Sequence, residues 1–460
     1  MNEYSISLVC SSIITEILET FINKTSVKDD IFSCDKSSIY LLLKCFKDTS
    51  QISKISQDKI SLILVKISSL VDYAGEKLHT FPYKNVPLSW LRLYTDSSLL
   101  KSICQIYLMI DNRKEKRINR DSWQEIIRTL DTSLVMTGAP GNRRKDMIFQ
   151  LIEETKKILK KELKEFNPIK RKKSNFNDLN DLIIDDAPII NHPLLKLSRP
   201  SLTTFASHVI SSNPTPYIIT SSIDHWPALS IRSWNNIDYL LDIGKERLVP
   251  VEIGVKYTDE NWTQKIMEFG EFVEKWILNS NDDDDDDDDG GGGNNECAYL
   301  AQHDLFSQIP RLRDDIMIPD YCFVDTKPFI LKLNNDLNSK VIEYNPLQDV
   351  IMNAWFGPKG TISPMHTDPY HNLLAQVVGR KYVRLYSPTE TSKVYPFEGD
   401  FMNNTSQVEI ENPNLEKFPL FATAQFKECI LESGDLLYIP PGWWHYVRSL
   451  SVSFSVSFWF

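Results

Sequence analysis

From Ser449 to Phe458, serine alternates without a break with Leu450, Val452, Phe454, Val456 and Phe458. Alternate side chains of an extended chain point to opposite faces, so this spacing predicts a strand with one apolar face. Such a strand is stable only in a sheet that something covers. The same texture runs upstream. Asn372 to Val378, a Gly379-Arg380 turn and Lys381 to Tyr386 predict a hairpin, and Leu436 to Ile439 follows a Gly434-Asp435 turn. Short strands rich in aromatics, with frequent proline, begin after Pro188 and argue for a barrel or sandwich.

The first third of the chain reads differently. Between Asn142 and Phe166 the residues Met147, Ile148, Leu151, Ile152, Thr155, Leu159, Leu163 and Phe166 fall on one helical face, with Lys and Glu on the other. Asn167-Pro168 stops that helix, and Ser122 with Glu125 has capping-box spacing ahead of an apolar run. The expected fold class is therefore α+β: an all-helical N-terminal domain over 1–166, a linker over 167–187, and a strand-rich domain over 188–460. The linker carries Lys170-Arg171-Lys172-Lys173, which suits a nuclear localisation signal or a solvated helix end. Aspartates and glycines from Asp282 to Gly293 cannot bury apolar surface, so 280–295 is expected to be a disordered insertion without a catalytic role.

Charge and cysteine usage narrow the function classes. The formal net charge of −11 includes eight aspartates in the run Asp282–Asp289, and without those eight it is −3. No broad basic footprint for direct nucleic-acid contact is visible. Seven scattered cysteines with no Cys-x-x-Cys pair fit neither a disulfide framework nor a zinc finger. Glu3, Glu16 and Glu19 interrupt the opening residues where a signal peptide would be basic and then apolar, and no run is expected to span a membrane. The expectation is a soluble protein inside the cell, nuclear or cytoplasmic.

The chemistry concentrates in Ser363-Pro364-Met365-His366-Thr367-Asp368-Pro369-Tyr370-His371-Asn372. His366 and Asp368 stand where a strand runs out between two prolines, and His445 follows Pro440-Pro441-Gly442-Trp443-Trp444 at another strand end. Two histidines and one carboxylate from strand ends make a facial triad with open coordination positions, the set that suits non-haem Fe(II) and O2 chemistry. A dicarboxylate co-substrate needs a cation deep in the pocket, and Lys381 on the returning strand supplies one.

These residues carry a resemblance. Asn353-Ala354-Trp355-Phe356-Gly357 through Pro369, Asn372 to Pro388 and Tyr438 to Phe460 resemble the JmjC-domain 2-oxoglutarate oxygenases. Similarity is highest to the small-JmjC subfamily, described both as protein arginyl hydroxylases and as histone lysine demethylases. It extends from about Val249 to the C-terminus, through Ala298 to His303 and Asn404 to Val408, with a weaker likeness around Thr129 to Pro140. The resemblance implies a double-stranded β-helix, the cupin-like jelly roll. It implies His366, Asp368 and His445 as Fe(II) ligands, and Tyr299, Ser363, Asn372 and Lys381 as 2-oxoglutarate contacts. His371 matches no ligand and is expected at the rim. The acidic insertion departs from the short loop of the relatives.

The subfamily's arginine pocket matches Glu252, Trp262 and Trp355; a carboxylate takes a guanidinium as a fork and indoles stack on its plane. Arginyl hydroxylation of a protein, with 2-oxoglutarate and O2 consumed and succinate and CO2 released, is the first reading. Histone N-methyl-lysine demethylation by the same iron chemistry is the alternative, since an aromatic cage also suits a methylammonium. A JmjC binding protein without turnover is a further one, with the helical domain as its interaction module.

Overall fold

The computed structural model describes residues 2–23, 31–82, 85–112, 120–165, 179, 187–259, 261–278, 297–326, 329–332, 341–399 and 402–460. The basic run Lys170–Lys173 and the aspartate and glycine insertion lie outside the described residues. Two compact units are present: Met1–Lys172 with Glu246–Leu248, and Lys173–Lys245 with Val249–Phe460.

The first unit contains helices α1 (Asn2–Asn23), α2 (Lys36–Asp48), α3 (Gln57–His79), α4 (Leu88–Asn112), α5 (Arg120–Thr137) and α6 (Arg144–Glu165). Met147, Ile148, Leu151, Ile152, Thr155 and Leu159 of α6 are buried, as their spacing predicts. Two expectations are corrected. Ser122 is the third residue of α5, so it does not cap that helix. By length and composition Tyr4–Phe21 within α1 is apolar enough to cross a membrane. Here it packs instead, with Ile6, Cys10, Ile13, Ile14 and Ile17 buried in the core of this unit.

The second unit holds fifteen strands among its described residues. They are β1 (Lys196–Ser198), β2 (Tyr217–Thr220), β3 (Leu248–Ile253), β4 (Thr263–Glu268), β5 (Ala298–His303), β6 (Phe329–Lys332), β7 (Val341–Tyr344), β8 (Ile351–Gly357), β9 (Ile362–His366), β10 (Asn372–Val378), β11 (Lys381–Tyr386), β12 (Phe426–Leu431), β13 (Leu436–Ile439), β14 (Trp444–Ser449) and β15 (Ser453–Trp459). A large sheet runs β1-β2-β13-β10-β15-β8-β5-β3-β4 and a small one β12-β11-β14-β9. From β8 to β11 and again from β12 to β15 the chain steps between the two sheets at each turn. That alternation is the double-stranded β-helix.

It also corrects the hairpin expected over 372–386. β10 pairs with β13 and β15, whereas β11 pairs with β12 and β14. The Gly379-Arg380 turn is thus a corner between sheets. Gly379 has φ +70°, and a Cβ there would meet the Val452 carbonyl oxygen at 1.9 Å. Gly379→Ala is expected to lose at least about 2 kcal/mol to strain and displaced backbone, read as a lower Tm in thermal unfolding.

The serine alternation is likewise redistributed. Leu450 to Val452 form the bend between β14 and β15, and the serine face is buried along with the apolar one. The apolar face, Phe454, Val456 and Phe458 with Leu373, Ala375 and Val377, packs against Trp226, Trp234, Phe269 and Phe272 outside the barrel. The serines face inward, where Gln376 Nε2 donates to Ser453 Oγ at 2.9 Å and Ser455 Oγ donates to Gln376 Oε1 at 2.7 Å. Between the sheets Leu374, Leu437 and Ile439 meet Val383, Leu385 and Val447. A strand covered on both sides does not need a wet face; small side chains leave room in the interior.

Candidate active site

β9 is an edge strand, which is why it accommodates Pro364. Its last residue, His366, is the direct antiparallel partner of His445 on β14, and the two rings lie 4.2 Å apart between centroids. Asp368 follows in the loop, where its carbonyl accepts from Gly442 N at 2.9 Å, tying the loop to the turn that delivers His445. His445 Nε2 is 3.6 Å and His366 Nε2 is 3.9 Å from the Asp368 carboxylate. The three donor atoms fall within 4.8 Å of one another, close enough for a single metal ion.

The backbone sets the tautomers. His366 Nδ1 lies 2.7 Å from the Pro364 carbonyl and His445 Nδ1 lies 3.0 Å from the Trp443 carbonyl. A carbonyl only accepts, so each Nδ1 carries the proton and each Nε2 is left with a lone pair for a ligand. Burial, aided by His445, pushes His366 down to about 4. Burial opposes the charge on Asp368, but the imidazoles of His445 and His366 beside it outweigh that and hold the carboxyl below its ordinary range. Neutral imidazole and ionised carboxylate are the forms that bind a metal.

Lys381 stands deeper, 2% exposed, with Nζ donating to the Tyr299 hydroxyl at 3.1 Å. Burial pushes it down to about 7. Among the described residues no carboxylate pairs with it, so the cavity holds a cation in search of an anion. At the mouth, Asn372 Oδ1 is buried without a hydrogen-bond partner. His366, Asp368, His445, Tyr299, Ser363, Asn372, Lys381 and Trp355 all line this one cavity. These groups fit a metal ion together with a small dicarboxylate.

Glu252 and Trp262 do not line it. They meet each other, with Trp262 Nε1 donating to Glu252 Oε2 at 3.3 Å, and Glu252 is the cross-strand partner of Tyr299. Burial raises the Glu252 carboxyl, with the Trp262 bond opposing. Trp355 bridges toward the metal side: its ring is 6.0 Å from that of Tyr299 and its Nε1 donates to Ser457 Oγ at 3.0 Å. All three pocket residues are half-buried, and Trp355 also packs against the hydrophobic cluster between the sheets.

His371 is corrected from rim to interior. It is 5% exposed, stacks on Tyr438 and Phe460, and meets the Tyr438 hydroxyl at 2.9 Å through Nδ1. Strand pairing explains this: His371 immediately precedes β10, and its carbonyl accepts from Phe460 N. Residues that sequence reasoning missed are Ser457, which lines the cavity, and Trp459, whose Nε1 is buried without a partner directly opposite Asn372. Their only signal was the inward phase of the serine alternation.

A family profile described as "Cupin-like domain" matches residues 202–460, and relatives alike along most of the chain are JmjC proteins. The chain belongs to the cupin-like JmjC oxygenases of the small-JmjC type, and it is a 2-oxoglutarate-dependent dioxygenase. Lysine-specific demethylase 8 of Danio rerio is 38% identical over 425 residues, covering 91% of this chain and 92% of that protein. The protein of the same name from Xenopus tropicalis is 34% identical, covering 85% and 87%. Lysine-specific demethylase JMJ30 of Arabidopsis thaliana is 45% identical over 245 residues, covering 53% and 49%.

Proposed function

We propose that His366, Asp368 and His445 hold Fe(II), that Tyr299, Ser363, Asn372 and Lys381 hold 2-oxoglutarate, and that Glu252, Trp262 and Trp355 receive an arginyl side chain of a protein substrate for hydroxylation on carbon. The iron, when bound, supplies the chemistry that couples oxidative decarboxylation of 2-oxoglutarate by O2 to C–H hydroxylation. The chain's own residues position the reactants: Lys381 and Tyr299 fix the far carboxylate, and Asn372 meets the co-substrate near the mouth.

The observation carrying the arginyl reading is Glu252, a half-buried carboxylate whose only side-chain hydrogen bond among the described residues comes from an indole. A guanidinium supplies the fork of N–H donors and the positive charge that this carboxylate lacks. A second reading, demethylation of an N-methyl-lysine, has the relatives' names in its favour, two of them being called lysine-specific demethylase 8. The comparisons speak for that second reading more than for arginine, and the case for arginine is geometric. An intracellular location, nuclear or cytoplasmic, is part of the proposal and leans on the basic run Lys170–Lys173.

Incubating arginine and methyl-lysine peptides with protein, Fe(II), O2 and 2-oxoglutarate separates the two by mass. The arginyl reading expects one oxygen gained on arginine, with Glu252→Gln lowering kcat/KM by roughly 10²-fold, as loss of a buried charge partner does. Loss of a methyl group with formaldehyde, and no oxygen on arginine, would move the assignment to the demethylase.

A further inference from the structure

The inward face of the large sheet carries two kinds of polar group. Deep in the barrel they satisfy one another: Gln376 bonds Ser453, Ser455 and the Val378 carbonyl at 2.7 Å. At the mouth they do not. Asn353 Nδ2, Asn372 Oδ1 and Trp459 Nε1 are all buried without partners, and they sit on the adjacent strands β8, β10 and β15. Register brings them together, because Trp459 is opposite both Asn372 and Ile351, and Ser457 is opposite Asn353.

An unpaired buried polar group costs about 1–3 kcal/mol, so two donors and one acceptor left unpaired on adjacent strands point to a ligand surface. Asn372 belongs to the co-substrate side. Asn353 lies on the other side, on the strand between β15 and β5, two residues before Trp355 and on the same inward face. It is 7% exposed and makes no side-chain hydrogen bond among the described residues, while Ile351, the next inward-phase position toward the rim, is 40% exposed. Trp355 lines the cavity, and Asn353 stands between it and the exposed Ile351 on the same inward phase of β8. We propose that Asn353 is a substrate-positioning residue whose amide N–H donates to a main-chain carbonyl of the protein substrate beside the modified residue.

This rests on the reading of the chain as a protein oxygenase, and the test keeps the two apart. Steady-state kinetics with the peptide that wild-type protein modifies would compare Asn353→Asp, which keeps the shape and removes the donor, with Asn353→Ser, which keeps a donor. The expected result is a peptide KM raised about tenfold in the aspartate variant, nearer wild type in the serine variant, with the KM for 2-oxoglutarate within twofold of wild type. A raised 2-oxoglutarate KM would place Asn353 with the co-substrate and overturn the proposal, as would an unchanged peptide KM. If neither variant keeps the native thermal transition, Asn353 is a packing residue and the proposal fails. A wild-type protein that modifies neither peptide sinks the oxygenase reading and this inference with it.

Discussion

Replacing His445 with alanine is expected to abolish 2-oxoglutarate turnover, with a loss well beyond the roughly 100-fold that follows removal of a ligand's supporting hydrogen bond. The size follows from the geometry. His445 contributes one of only three converging donor atoms, its Nε2 3.6 Å from the Asp368 carboxylate, and no other His, Cys, Asp or Glu group among the described residues can take its place. Metal content measured on anaerobically purified protein should fall together with turnover. His371→Gln is the matching control, because His371 is buried against Tyr438 and Phe460 outside the donor set. It should lower Tm and still bind Fe(II). Full turnover in His445→Ala would mean that the metal sits elsewhere.

Lys381→Met is expected to raise the KM for 2-oxoglutarate by roughly 10²-fold, the consequence of leaving a buried carboxylate without its cation. Its pH signature is more specific. Burial holds the free lysine at about 7, below its ordinary value, and a bound carboxylate favours the charged form. Above pH 7 binding must therefore take up a proton, and affinity should fall about tenfold per pH unit; below pH 7 it should be flat. Titration calorimetry in two buffers of different ionisation enthalpy reads that proton directly, and Lys381→Met should lack it. For stability the sign is opposite. The cost of burying the charged lysine is fully present below pH 7 and is relieved as pH rises toward its unfolded value, since only the unfolded chain then keeps the proton.

Much of the site was legible in the sequence because the chemistry needs particular residue types at strand ends. His366, Asp368 and His445 were readable from proline and glycine punctuation, and Lys381 from its place on the strand that follows the Gly379-Arg380 turn. The structure brings these together with Tyr299, Ser363 and Asn372 in one cavity. What was not legible depends on which sheet a strand joins. A Gly-Arg turn between two apolar strands reads the same whether the chain returns beside itself or crosses to another sheet, so 372–386 looked like a hairpin. Alternation in β15 gave the correct period but not which face is inward, and the serine side proved to be the one that shapes the interior. His371 was expected at the rim because it matches no ligand position; only the pairing of β10 with β15 shows it covered by Phe460.

The most direct test of the central claim is to measure succinate formed from 2-oxoglutarate against oxygen incorporated into a protein or peptide substrate, under Fe(II) and O2, for wild type and His366→Ala. The account predicts succinate in step with substrate oxidation in the wild type, whether as oxygen retained on arginine or as formaldehyde released from methyl-lysine, and neither in the variant. Equal succinate in both proteins, or none in either when iron is bound, would contradict it.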